Sequence, residues 1–115
     1  MVELIVLNYL KSNLIEAYME LPAGADPQKF VVIQKTGSGR VAKGVQSATV
    51  SIQSYGKSLY EAASLNEQIK VLMDGIISLE SVCSCRINSD YNYTDTTTKR
   101  YRYQAVFDII YYQEV

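Results

Sequence analysis

The chain has 115 residues, 12.9 kDa, 48% of them hydrophobic and 20% charged, which excludes a disordered or low-complexity segment. Eleven basic against twelve acidic side chains leave a formal charge of −1, with no basic tail or block to follow a phosphate backbone or an anionic bilayer. This length suits one domain, residues 1–115, exposing roughly 6,300 Å² when folded against roughly 18,700 Å² unfolded.

From Val2 to Leu10 the apolar residues Val2, Ile5, Val6, Tyr9 and Leu10 keep i, i+3, i+4, i+7, i+8 spacing, which predicts an amphipathic helix. Leu14 to Leu21 partly alternates and reads as a strand closed by Pro22. Lys29 to Thr36 reads as a buried strand. Thr36 to Gly44 (TGSGRVAKG) reads as a glycine-punctuated hairpin loop with exposed Lys35, Arg40 and Lys43, ordered only on assembly. Val45 to Ser54 alternates, with Ala48, Val50 and Ile52 on one face and Thr49, Ser51 and Gln53 on the other. The strands flanking the loop should therefore pair antiparallel.

Ser58-Leu59-Tyr60-Glu61 is a capping box, and Leu59, Ala62, Leu65, Ile69, Leu72, Met73 and Ile76 continue one helical stripe that ends near Gly75. Two long strands, about Ser78–Tyr93 and Lys99–Gln113, flank a turn rich in Asp and Thr. With the turn centred near Thr96, paired numbers sum to 192. Cys83, Cys85, Ile87 and Tyr91 then share an apolar stripe with Phe107 and Ile109, Asp90 faces Arg102, and Arg86 lies diagonal to Asp108. The expected fold class is α+β: an antiparallel or mixed sheet of about five strands with two helices on one face, in the order α-β-β-β-α-β-β.

Candidate chemistry is sparse. The chain has no histidine, so no Ser–His–Asp or Cys–His arrangement and no imidazole metal ligand can form. Cys83 and Cys85 are two sulfurs where structural zinc needs four ligands, and their spacing on a strand strains a disulfide. They read as small, reduced core residues. Gly39 to Gly44 has phosphate-loop spacing, but Val45 and Gln46 stand where Lys and Ser/Thr are required. In Lys99-Arg100-Tyr101-Arg102-Tyr103 the cations and rings alternate to opposite strand faces, which spoils a single-strand nucleic-acid groove. The carboxylate pairs Glu16/Glu20 and Glu61/Glu67 read as solvated. No catalytic residue, cofactor or metal is expected, and no enzyme.

Apolar runs such as Leu4–Leu7 reach four residues where a membrane span needs about 20. Glu3 stands where a signal peptide carries positive charge, so a cytoplasmic, non-membrane chain is expected. What remains is surface. The helices can cover one sheet face, and the other presents Arg102, Gln104, Ile110 and Tyr112, with Tyr91 and Tyr93 at the hairpin ends and Arg100 beside them. Tyrosine supplies ten of the twelve aromatics and is enriched at protein interfaces.

The stretch from Ala48 to Ile69, with its IQSY string at Ile52–Tyr55 and EAA.L at Glu61–Leu65, resembles the central segment of tail terminator (tail completion) proteins of long-tailed bacteriophages and prophages. The YMELP of Tyr18–Pro22, the FVVIQKTG strand and the late RYQAVFDI strand at Arg102–Ile109 extend the likeness in order along nearly the whole chain. The resemblance implies a non-enzymatic ring, usually hexameric, that caps the tail tube and presents the head-joining surface. Its partners would be further copies of itself, the tail tube protein and head-completion or neck proteins. Its place would be the virion's tail-neck region, after assembly in the host cytoplasm. The alternatives are a head-completion connector of similar size and, more remotely, a small nucleic-acid-binding module.

Overall fold

The computed structural model describes residues 1–23, 28–98 and 100–113. In chain order the elements are α1 (Val2–Ser12), β1 (Ala17–Tyr18), β2 (Phe30–Ala42), β3 (Val45–Tyr55), α2 (Leu59–Asp74), a 3-10 turn (Ile76–Ser78), β4 (Val82–Asn92) and β5 (Arg102–Tyr112). Among the described residues the strands form one five-stranded mixed sheet ordered β1-β2-β3-β5-β4. β1 lies parallel to β2, and every other neighbour is antiparallel. This is the expected α+β architecture. The accessible surface is 6769 Å², and the 44 × 24 × 24 Å outline explains the modest excess over a rounder chain of this mass.

Both helices lie on the same sheet face. Val2, Val6 and Leu10 of α1 and Ala62, Leu65, Ile69 and Met73 of α2 close over Val31, Ile33, Val50, Ile52, Ala105, Phe107 and Ile109. Two members of the expected stripe fall outside this core: Leu72 is half-buried, and Leu59 at the first turn is exposed. Asn66 replaces them at 1% exposure, because it falls one turn after Ala62 and just before Ile69 on the same helical face. Its Nδ2 donates to Asp90 Oδ1 at 3.4 Å, and Lys70 reaches Asp90 Oδ2 at 3.3 Å and Glu67 at 2.9 Å, tying α2 to β4.

The capping box forms with a small shift. Glu61 N–H donates to Ser58 Oγ (3.1 Å), while the Glu61 carboxylate accepts from Lys57 N–H (2.9 Å) rather than from Ser58. At the other end of α2, the Tyr9 hydroxyl donates to the Leu72 carbonyl at 2.6 Å and joins the helices. Gly75 permits this approach, since a Cβ there would stand 2.9 Å from the Tyr9 oxygen.

Three expectations are corrected. The strand expected over Leu14–Leu21 shrinks to Ala17–Tyr18, because α1 ends in a Schellman motif: Ile15 N–H donates to Leu10 O and Leu14 N–H to Lys11 O, both at 3.0 Å. Leu14 occupies the position that favours glycine, with φ +66° and its side chain 95% exposed. A left-handed leucine costs about 1–2 kcal/mol. Leu14→Gly should therefore raise stability by on the order of 1 kcal/mol after glycine's greater unfolded-state entropy is deducted. Denaturant unfolding checks it, and a loss of stability would mean that the leucine side chain holds the turn.

The glycine loop is mostly strand. β2 continues to Ala42 with bulges at Thr36 and Val41, and the turn is the two residues Lys43-Gly44, with φ +79° at Gly44. The glycines at 37 and 39 are paired strand residues opposite Thr49 and Ser47.

In the terminal hairpin the pair sum is 194 from Ser84 to Ile87, then 195 from Ser89 to Asn92, with bulges at Cys83 and Asn88. Cys85 thus faces Ile109, Ile87 faces Phe107 and Arg86 stands directly opposite Asp108. Beyond Asn88 the phase inverts. Tyr91 leaves the expected apolar stripe to face Gln104, and Asp90, expected beside Arg102, faces Ala105 under α2.

Candidate functional site

The helices leave the second sheet face uncovered, and strand alternation gathers much of the expected interface set there. Arg102, Gln104, Ile110 and Tyr112 point to this face from β5, and the Asn88 bulge adds Tyr91 from β4. Arg100 and Tyr93 join them through Tyr55 and Arg102. Lys35 and Arg40 do not belong to the group. They pair with Val50 and Gln46 and so project from the helix-side face, while Lys43 sits in the turn. All three are exposed. Lys99 lies outside the described residues.

A second, smaller hydrophobic cluster sits on the uncovered face: Phe30, Val32 and Tyr55, with Tyr18 packed against them. Phe30 and Tyr55 stack at 4.7 Å with planes 3° apart, and Tyr18 meets Phe30 edge-on at 5.9 Å. Arg102 is clamped between two rings, 4.4 Å from the Tyr93 centroid and 5.9 Å from that of Tyr55. Its Nε donates to the Tyr93 carbonyl at 2.6 Å and its Nη1 to the Tyr55 hydroxyl at 3.0 Å. The Tyr55 hydroxyl donates to Gln53, Gln53 Nε2 to Gln104, and Gln104 Nε2 to the Tyr91 hydroxyl. Tyr91 and Tyr93 then meet edge-on at 5.8 Å.

One hydrogen-bonded chain therefore crosses β3, β5 and β4. Arg102, expected to be free for a partner, is an internal clamp, and Arg102→Glu should unsettle the subunit itself. The members missed in the sequence are Phe30, Tyr55 and Tyr18, while Gln53 lies on the open face where alternation put it. The four consecutive apolar residues Phe30–Ile33 were the available signal, since a strand that is apolar at every position is covered on both faces. The rings beside the arginines come from Tyr55 on β3 and Tyr93 just past β4, whereas Tyr103 does point to the helix-side face as alternation requires.

Asp108 accepts from Thr49 Oγ1 and Asn88 Nδ2, both at 3.1 Å, which makes it a structural acceptor on the same face. Glu16, Glu20 and Glu67 are exposed, and Glu61 is spent on the cap. The phosphate-loop glycines lie in strand and turn, with no helix N-terminus behind them. Among the described residues no group of three His, Cys, Asp or Glu side chains is placed to hold a metal ion, and no helix is long and apolar enough to cross a membrane.

The cysteines part company. Cys85 packs half-buried against the core, but Cys83, expected there too, is exposed because the bulge puts it out of phase. Burial, with the Asp74 and Asp108 carboxylates, pushes the Cys85 thiol up to about 11. At pH 8 a small-molecule disulfide reagent should titrate one thiol quickly and leave the second until unfolding, and Cys83→Ser should remove the fast phase. Two fast thiols would overturn the assignment. The raised value also sets a pH dependence. Above about pH 9 the unfolded thiol ionises while the folded one keeps its proton to about 11, so stability should fall across that window.

No protein-family model matches the chain, and a search of curated proteins found no match either.

Proposed function

We propose that the protein is a structural assembly component without catalytic activity, acting as a tail terminator that forms a ring, capping a phage tail tube and offering the head-joining surface. Such a subunit would assemble in the host cytoplasm and reside at the virion's tail-neck junction. The observation that carries this reading is the uncovered sheet face. It is broad, internally hydrogen-bonded, and bordered by tyrosines 42–52% exposed (Tyr91, Tyr93 and Tyr112). A prearranged face of this kind suits contact with another protein, because its polar groups are already satisfied and little ordering entropy is lost on docking. The resemblance supports it from another side. Its IQSY and EAA.L strings fall on positions that build the fold: Ile52 in the core, Gln53 and Tyr55 in the polar chain, Glu61 in the cap, Ala62 and Leu65 on the buried face of α2.

A single-stranded nucleic-acid module is the second reading, favoured by Arg100 and Arg102 beside Tyr55 and Tyr93. The clamp weighs against it, because the stacking faces and two donors of Arg102 are already engaged within the subunit. A head-completion connector shares the assembly logic and differs in its neighbours. Light scattering behind size exclusion separates the readings. A ring of six 12.9 kDa copies would weigh about 77 kDa and show a central hole in negative stain. A stable 12.9 kDa monomer that shifts on binding an oligonucleotide would favour the second reading.

A further inference from the structure

The charges fall into two blocks along the chain. From Ser12 to Gln28 there are three acids, Glu16, Glu20 and Asp26, and no cation; from Lys29 to Tyr60 there are five cations and no acid. Asp26 lies outside the described residues.

The fold carries Arg40 and Lys43 away from Glu16 and Glu20 along one strand, with Lys35 between them, while Lys29 stays at the near end and lines a groove with Glu16. Tyr18 pairs with Val32 near the start of β2, whereas Arg40 pairs with Gln46 eight residues further on, about 25 Å away at strand rise. A rigid strand separates the two patches, so one copy cannot bring its own together. The first patch is a corner beside β1, where Glu16 and Glu20 are exposed next to Leu14 (95%), Met19 (43%) and Leu21 (51%). A groove of about 470 Å³ runs through it, lined by Leu7, Tyr18, Met19, Glu20 and Leu21, with Lys11 as a cation on its wall.

The second patch is the far half of β2, exposed at every residue from Gln34 to Ala42 and therefore on both faces. It presents Lys35, Arg40 and Val41, with Lys43 at the turn. β1 pairs with β2 at Val31 and Val32 and leaves the rest of that outer backbone edge without a strand beside it among the described residues. An edge strand uncovered on both faces and along one backbone edge is ordinarily protected by a partner.

We infer that the basic far half of β2 with its turn (the arm) of one copy docks on the apolar corner beside β1 of a second copy, where it meets Glu16 and Glu20. The contact rests on the assembly reading and names its two surfaces. They are different patches, so the association is head to tail, and it closes into a ring if the rotation per copy allows. Leu14 fits this role, since a strained and almost wholly exposed leucine gains burial only when another molecule covers the corner.

Charge exchange, read by sedimentation velocity, tests it. The arm variant carries Lys35→Glu, Arg40→Glu and Lys43→Glu, and the corner variant carries Glu16→Lys and Glu20→Lys. All five positions are exposed, and thermal unfolding verifies that each variant keeps its fold. Each variant alone should associate more weakly, its dissociation constant rising on the order of tenfold or more. Mixed in equal amounts the two should associate again, because each arm then finds an oppositely charged corner. Leu14→Gly should weaken association without lowering subunit stability. Variants that assemble like the wild type, or a mixture no better than its components, would overturn the contact and leave the ring standing. A wild-type chain that stays monomeric at hundreds of micromolar would overturn the ring and the contact together.

Discussion

Truncating Phe107 to alanine should cost about 3–5 kcal/mol, the largest single-residue effect expected in this subunit. Phe107 is 2% exposed on β5, between Val50 of β3 and Ile87 of β4 in register, and beneath α2 in the main core. It is the largest of the fully enclosed side chains, and the lattice of β3, β4 and α2 around it has little freedom to collapse into the space left behind. Urea unfolding should show a lower midpoint at an unchanged slope. Ile69→Ala, directly across the helix–sheet interface, should cost about 2–5 kcal/mol by the same mechanism. A loss below about 1 kcal/mol at Phe107 would place the helices on the other face of the sheet.

That face assignment was readable in the sequence because alternation is a two-fold signal that survives errors of register. The odd-numbered residues Ala105, Phe107 and Ile109 are apolar and their even-numbered neighbours are mixed, so the buried side of β5 is fixed whichever strand lies beside it. The α2 boundaries were equally legible, since Ser58, Glu61 and Gly75 mark its two ends chemically. The bulges were not legible. Nothing local distinguishes Asn88 from an ordinary strand residue, yet it inverts the phase for Ser89 to Asn92 and moves Tyr91 and Asp90 to opposite faces. The glycines misled for a related reason. Glycine signals a turn when judged alone, but Gly37 and Gly39 are held in β2 by pairing with β3, an interaction across about ten residues that no local window contains.

The polar half of the candidate site was invisible for a third reason. Its hydrogen bonds join residues about 50 positions apart, Gln53 to Gln104 and Tyr55 to Arg102, and they follow only once β3 and β5 are known to be neighbours. The Tyr55–Arg102 pairing also explains why a cation stands in a strand that is otherwise apolar and neutral near its start. It is the register partner of a tyrosine whose ring it covers.

This pairing leads to the second large effect. Arg102→Ala should cost about 2–3 kcal/mol in the subunit itself. Two hydrogen bonds from a charged donor are worth about 1.5–3 kcal/mol each when well enclosed, and the contacts with Tyr93 and Tyr55 add about 0.5–1 kcal/mol. Arg102 is only half-buried, so solvent screens part of that sum and the lower total is expected. Lysine keeps the charge but loses the planar fork that serves the Tyr93 carbonyl and the Tyr55 hydroxyl together, so Arg102→Lys should recover less than half of the loss. Tyr55→Phe removes one acceptor and leaves the stack on Phe30, and a double-mutant cycle with Arg102→Ala should give a coupling of about 1 kcal/mol. Additive effects would mean that the two side chains are adjacent without holding each other. Arg102 substitutions should therefore lower unfolding midpoints before they alter assembly, whereas charge reversals on the arm should alter assembly and leave midpoints in place. The opposite pattern would move the contact between copies from the arm to the clamped sheet face.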